Sequence, residues 1–414
     1  MTRAMKDSGI EWIGQIPENW NISKLKNFNK IIMGQSPSSE DYNLDNIGFP
    51  FLQGNADFTN LYPKERVYTK SATKFSKPLD ILFSVRAPVG EKNIANKRYA
   101  IGRGLCAICP MSHIMKYVWY FLDVVKKELD SISSGSTFDS VSVAEIKNAC
   151  YVFPEITEQQ KIADYLDKRC EKIDTAIDNQ KQIIEKLKEY KQSLITETVT
   201  KGLNPNVKLK DSGIEWIGSI PEHWNILRGK NALSLMHRPV SSDMEVITCF
   251  RDGEVILRKY RREEGFTFSD KEIGYQGIKV GDLVIHGMDG FAGAIGISKS
   301  YGKGSPVLNV CNAKDGINLD YICYFLRNMA DRNLFIALST GIRERSCDLK
   351  WNKIANLLLP QPPLSEQKEI AEYLDKKCNQ IDETIKQKEE TISKLEEYKK
   401  SLIFECVTGK KEVA

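Results

Sequence analysis

No apolar run in the sequence approaches the ~18 residues that a membrane-spanning helix needs, which argues against a helical membrane protein. Met1–Lys6 lead straight into polar sequence without an apolar signal core, so the chain is expected to stay in the cytoplasm. Histidine is scarce: His113, His223, His237 and His286 are spread too thinly to cage a metal. The ten cysteines are scattered singly, as reduced cytoplasmic thiols are, and not set in a disulfide framework. Cys106 and Cys109 with His113 form one metal-like spacing. The segment around them, GLCAICP, is apolar and no second cysteine pair follows, so it reads as a buried strand with two free thiols. A G-x-x-x-x-G-K-[ST] phosphate loop is absent, as are a Gly-x-Ser-x-Gly nucleophile elbow and the Asn/Asp-Pro-Pro-aromatic tetrapeptide of amino-methyltransferases. No catalytic centre and no metal site is predicted. Charge of one sign is also in short supply, since 59 basic residues against 55 acidic leave only +4.

What the sequence does have is duplication. Residues 7–20, DSGIEWIGQIPENW, return as 211–224, DSGIEWIGSIPEHW, with 12 of 14 positions identical. Residues 158–200 return as 366–408 with 24 of 43 identical. The chain therefore divides into a leader (1–20), a variable domain (21–155), a central helix (156–203), a connector carrying the second leader (204–224), a second variable domain (225–363) and a C-terminal helix (364–411). The variable domains share a plan: strand-like Asp80–Phe83 and Asp282–Ile285, glycine-rich β sequence after each, then helical patterns from Tyr117 and from Tyr321.

The two matched tails predict long helices free of proline and glycine. A 4-3 spacing from Ile162 selects Leu166, Arg169, Ile173, Ala176, Gln180, Ile183, Leu187, Tyr190 and Leu194. The same spacing from Ile370 selects Leu374, Lys377, Ile381, Thr384, Lys388, Thr391, Leu395, Tyr398 and Leu402. Among the apolar members, Ile162, Leu166, Ile173, Leu187 and Leu194 with Ile370, Leu374, Ile381, Leu395 and Leu402 are the expected pairing residues. Helices from halves related by a repeat should pair isologously and antiparallel. Thr157 with Gln160 fits a capping box, whereas Ser365 with Lys368 supplies only the cap.

Charge separates the segments. Domain 21–155 carries 17 basic and 13 acidic residues and domain 225–363 carries 19 and 15, so each is +4, while the two helices are nearly neutral. Two basic domains suit a protein gripping one polyanion at two places. In the first, Arg86, Lys92, Lys97, Arg98 and Arg103 follow the Asp80 strand. In the second, Arg251, Arg258, Lys259, Arg261 and Arg262 are densest, with Arg343 and Arg345 after Gly341. Arginine can read guanine or clamp phosphate, so these are the candidate DNA-binding residues.

The doubled leader, the EQ-x-x-IA-x-YLD helix openings and the order leader–variable–helix twice over closely resemble the specificity subunit of type I restriction-modification systems. LDILFSVRAPVG, AIGRGLCAI and GDLVIHGMDGFAGAIGIS resemble the same family, and the likeness covers essentially the whole chain. The first helix opening, YVFPEITEQQKIA, lacks the double proline of LPQPPLSEQKEIA.

The resemblance implies a mixed α/β fold in pseudo-two-fold tandem repeat, with two target-recognition domains separated by two long antiparallel helices forming a coiled coil. It implies a non-catalytic subunit whose domains each read half of a bipartite, asymmetric double-stranded DNA site. The helices would set the gap and dock two modification subunits that methylate adenine, and restriction subunits would join them. This chain would hold no cofactor, while S-adenosylmethionine, ATP and Mg would belong to the partners. A catalytic subunit with unrecognised motifs and a protein-binding adaptor stay open as alternative classes at this point.

Overall fold

The computed structural model describes residues 3–133, 140–261, 273–337 and 348–413. The chain folds as two units. One comprises Met1–Gln180 with Glu389–Ala414, the other Lys181–Lys388. Each long helix, Ile156–Lys201 and Leu364–Val407, therefore gives one half to each unit.

In the first unit the leader repeat forms a hairpin, Met5–Asp7 against Gln15–Pro17, and buries Trp20. The strands that matter below are β1 (Asn21–Lys24), β2 (Asn29–Met33), β3 (Phe49–Leu52), β4 (Val67–Thr69), β5 (Ile81–Ser84), β6 (Lys92–Ile94), β7 (Ala100–Ile101), β8 (Leu105–Pro110) and β9 (Cys150–Phe153). A four-stranded sheet runs β2-β8-β5-β6, all antiparallel. A second runs from β7 through β3 and β4 to Tyr42–Asn43. Strands β5 and β8 are almost wholly buried, as their unbroken apolar runs require. Helix α1 (Met115–Ser133) lays Tyr117, Phe121 and Val125 into the main core, which also takes Ile162, Leu166, Leu402 and Val407 from the two long helices.

The second unit repeats this plan. Its leader hairpin pairs Leu209–Asp211 with Ser219–Pro221 and buries Trp224. Strands β10 (Asn225–Arg228), β11 (Leu233–Leu235), β12 (Leu283–His286), β13 (Ile295–Ile297), β14 (Leu308–Ala313) and β15 (Leu358–Gln361) follow. The sheet order β11-β14-β12-β13 is that of β2-β8-β5-β6, and β10 pairs with β15 as β1 pairs with β9. Helix α2 (Leu319–Asp331) takes the place of α1. Asp80 and Asp282 close the turns that enter β5 and β12, accepting the Lys77 N–H at 2.6 Å and the Lys279 N–H at 2.7 Å.

Within each unit the helix halves run antiparallel. Asp174 meets Lys399 at 2.6 Å in the first, and Asp382 meets Lys191 at 2.6 Å in the second. Both pairs sum to 573, so the two units use one register. The seam differs from the expected spacing in part. The row Leu166, Ile173, Gln180, Leu187 and Leu194 is buried or half-buried, but its companions are Cys170, Ile177, Ile184 and Lys191. Arg169, Ile183 and Tyr190 are exposed and Ala176 is half-buried. In the C-terminal helix the companions are Cys378, Ile385, Ile392, Lys399 and Cys406 in place of Lys377, Thr384, Thr391 and Tyr398. The capping box is also corrected: the helix begins at Ile156, Thr157 lies inside it, and Gln160 hydrogen-bonds Asp164 at 2.8 Å.

Candidate nucleic-acid interface

The structure sorts the predicted cations into distinct environments. Lys92 is withdrawn from the surface. Its side chain is 11% exposed, with Nζ 2.6 Å from Asp123 and 4.4 Å from the Trp119 ring centroid, and burial lowers its pKa. A cation with a carboxylate and an indole as neighbours is spent on internal packing. Lys97 is exposed but paired with Glu65 at 2.5 Å. Arg98 lies over the rings of Phe49 and Phe75, 4.8 and 4.0 Å from their centroids. Arg86, beside the Ala87–Pro88 turn, and Arg103 are exposed and make no ion pair among the described residues.

In the dense patch of the second unit the described cations lie beside carboxylates or a hydroxyl. Arg251 pairs with Asp289 at 2.8 Å and Lys259 with Glu245 at 2.7 Å. Arg261 bridges Asp252 at 2.6 Å and Glu254 at 3.0 Å above the Phe250 ring, and Arg258 donates to the Thr248 hydroxyl. Among the described residues four cations thus stand with four carboxylates. Arg262, Arg343 and Arg345 lie outside the described residues.

The expected helix-pairing residues fall as follows. Ile162, Leu166, Ile173 and Leu402 belong to the first core and Leu395 packs against it. Ile370 and Leu374 belong to the second core, and Leu194 packs against that. Ile381 is buried and Leu187 half-buried.

Charge clustering did not reveal a crossing of three loops in the first unit. The loops leave the ends of β2 and β3 and join β7 to β8. The Gly34 N–H donates to the Leu105 carbonyl at 2.9 Å and the Gln35 N–H to the Ile101 carbonyl at 2.9 Å. The Gly102 N–H donates to the Leu52 carbonyl at 2.8 Å. A Cβ at Gly34 would collide with the Gly102 carbonyl, and one at Gly104 would lie 2.6 Å from the Gln53 carbonyl oxygen, so the chains approach as closely as only glycine allows. Side chains continue the ties. The Arg103 N–H donates to Ser36 Oγ at 3.1 Å, Ser36 Oγ donates to Gln53 Oε1 at 3.0 Å, and Thr73 Oγ1 donates to Gln35 Oε1 at 3.1 Å. Gln35, Gln53, Thr73 and Arg103 are exposed. The glycines of MGQ and GRG were the available signal, since two short Gly-bearing turns can mark a close backbone approach.

No group of three metal-ligating side chains converges among the described residues. Cys106 is buried in β8, which pushes its thiol up to about 12, and His113 stacks on Phe28 with ring centroids 4.3 Å apart.

The family model described as the type I restriction modification DNA specificity domain matches residues 17–189 and 280–394, together more than half of the chain. The putative type I restriction enzyme MjaX specificity subunit of Methanocaldococcus jannaschii is 37% identical over 192 residues. That match covers 45% of this chain and 44% of the relative, so the chain spans less than half of that protein's length. The StySPI specificity subunit of Salmonella potsdam is 20% identical over 429 residues, covering 96% of this chain and 90% of its own. Among solved structures, a chain from a type I restriction-modification system studied for complex assembly and conformational transition superposes with a TM-score of 0.72. Its identity is 14%, with 95% of this chain and 98% of that chain covered. The HsdS subunit from Thermoanaerobacter tengcongensis gives a TM-score of 0.55 at 15% identity, covering 98% and 100%. At these identities the structural likeness is one of fold.

Proposed function

Because the chain belongs to the family of type I restriction-modification DNA specificity domains, we propose that it chooses the DNA sequence on which a larger modification and restriction complex acts. Domain 21–155 reads one half of a bipartite site and domain 225–363 the other, and the chain performs no catalysis itself. The observation that carries this reading is the doubling of one scaffold with unlike loops. The same sheet order occurs in both units, while the segments between strands differ in length and sequence. Two unlike readers on one frame suit an asymmetric site of two different halves, with protein pseudo-symmetry answering to half-site spacing.

In this reading the paired long helices fix the gap between half-sites and present docking surface to two modification subunits. Those subunits bind S-adenosylmethionine and methylate adenine, and restriction subunits bring ATP and Mg. Double-stranded DNA is the chain's own ligand and the cytoplasm its place of work. No helix among the described residues is long and apolar enough to cross a membrane.

The test is methylation mapping by single-molecule sequencing in cells carrying this chain with its neighbouring modification subunit. A split asymmetric motif, methylated on adenine in both halves and lost when this chain is deleted, is the expected result. A motif that survives the deletion would assign sequence choice to another protein.

A further inference from the structure

We infer that the three-loop crossing of the first unit is its base-reading edge, with Arg103 reading a guanine and Gln53 the neighbouring base pair. The inference rests on the proposed DNA-specificity function and assigns two residues to it.

The argument begins with rigidity. A side chain that discriminates bases must be held in place by its surroundings, because a contact shifted by an ångström loses its selectivity. Arg103 sits between Gly102 and Gly104, whose neighbourhoods admit no Cβ without a clash, and its own N–H is tied to Ser36. The loop is therefore fixed while the guanidinium projects from it exposed.

The second point is availability. Lys97, Arg251, Lys259 and Arg261 each have a carboxylate within 3 Å, whereas Arg103 makes no ion pair among the described residues. Its planar fork is left to match the O6 and N7 acceptors of guanine in the major groove.

The third point is the company it keeps. Ser36 Oγ accepts from the Arg103 N–H, so its hydroxyl proton is directed to Gln53 Oε1. That relay engages Oε1 and leaves Nε2, with two donors, without a hydrogen-bond partner among the described residues. Gln35 is held alike by Thr73. Amides add no charge, and a glutamine can pair bidentately with a base edge in the major groove. An arginine beside oriented amides on a rigid loop is hydrogen-bond chemistry for bases.

Arg103→Lys separates this from a phosphate clamp, since lysine keeps the charge and loses the fork. Methylation motifs would be mapped in cells carrying the variant chain and its modification partner. The expected result is degeneracy at one G·C position of one half-site, with discrimination there falling roughly 5- to 150-fold and the other half-site unchanged. Gln53→Leu should relax an adjacent position. A motif unchanged at every position by Arg103→Lys overturns the inference. If methylation is lost altogether, the purified variant complex is competed with the mapped duplex and its single-base variants. Weakening shared equally by all of them also overturns the inference, and discrimination lost at one position supports it. If the unaltered chain yields no split motif, the functional reading itself fails, which is a separate result.

Discussion

Gln159 and Gln367 occupy one position of the repeated EQ-x-x-IA-x-YLD opening, and each is fully buried. Gln159 accepts the Ile114 N–H at 3.1 Å and donates to the Pro154 carbonyl at 2.9 Å. Gln367 accepts the Asn318 N–H at 2.9 Å and donates to the Pro362 carbonyl at 2.8 Å. The amide fastens the start of a long helix to the loop that enters α1 or α2. Gln159→Leu would strand the half-buried Ile114 N–H and the buried Pro154 carbonyl and should cost about 2–4 kcal/mol in the first unit, read as a lowered denaturant midpoint. The second unit's transition should not move. His113 offers a pH test. Burial lowers its pKa to about 4, against an ordinary 6.5 once unfolded. Between those values the unfolded chain holds a proton that the folded chain refuses, so stability is intact above 6.5 and drains away as pH falls toward 4. Urea midpoints at pH 7 and pH 5 should differ more in the parent than in His113→Phe. The repeated glutamine was visible in the sequence, but the partners that tie it to α1 or α2 were not, because the Ile114 and Asn318 N–H groups lie 45 and 49 residues away. Lys92 shows the same limit: a cation buried beside Trp119 and one exposed like Arg103 look alike until the fold is known.

The long helices were legible as elements while their packing phase was only half legible. From Leu166 onward the row Leu166–Ile173–Gln180–Leu187–Leu194 holds, but its companion row lies one residue further along than the 4-3 count from Ile162 placed it. The pattern was ambiguous because apolar residues stand on both candidate rows, most plainly at Ile183 and Ile184. The globular part resolves the choice. Tyr120 hydrogen-bonds Asp167 at 2.6 Å and Tyr324 hydrogen-bonds Asp375 at 2.6 Å, so α1 and α2 help set which face turns inward. Ile177 is 6% exposed and Ile183 39%. Ile177→Ala should therefore destabilise by about 2–4 kcal/mol, and Ile183→Ala by no more than about 0.5 kcal/mol, in chemical unfolding.

At the scale of the molecule, the tandem plan was plain from the repeats, yet the boundary between units was not. It falls at Gln180/Lys181 and Lys388/Glu389, inside helices that carry no local mark of it. Those two points are where the proposed ruler can be tested without disturbing either core. Seven residues inserted at each preserve the heptad phase and lengthen the helices by about 10 Å. The gap in the methylated motif should widen by about three base pairs at ~3.4 Å each, with both half-sites unaltered. A constant gap would reject the ruler. The same partition bears on how the protein is made. Lys181–Lys388 is one continuous stretch and leaves the ribosome with every residue of its unit present. The other unit is split around it: Tyr117 of α1 waits for the carbonyl of Val407, and its core for Leu402 and Cys406. Translation thus completes the middle of the chain before the beginning, and a chain cut and released near residue 388 would hold one finished domain and one open one. Damage to the segment from Glu389 onward should accordingly be felt in the unit that holds Met1–Gln180.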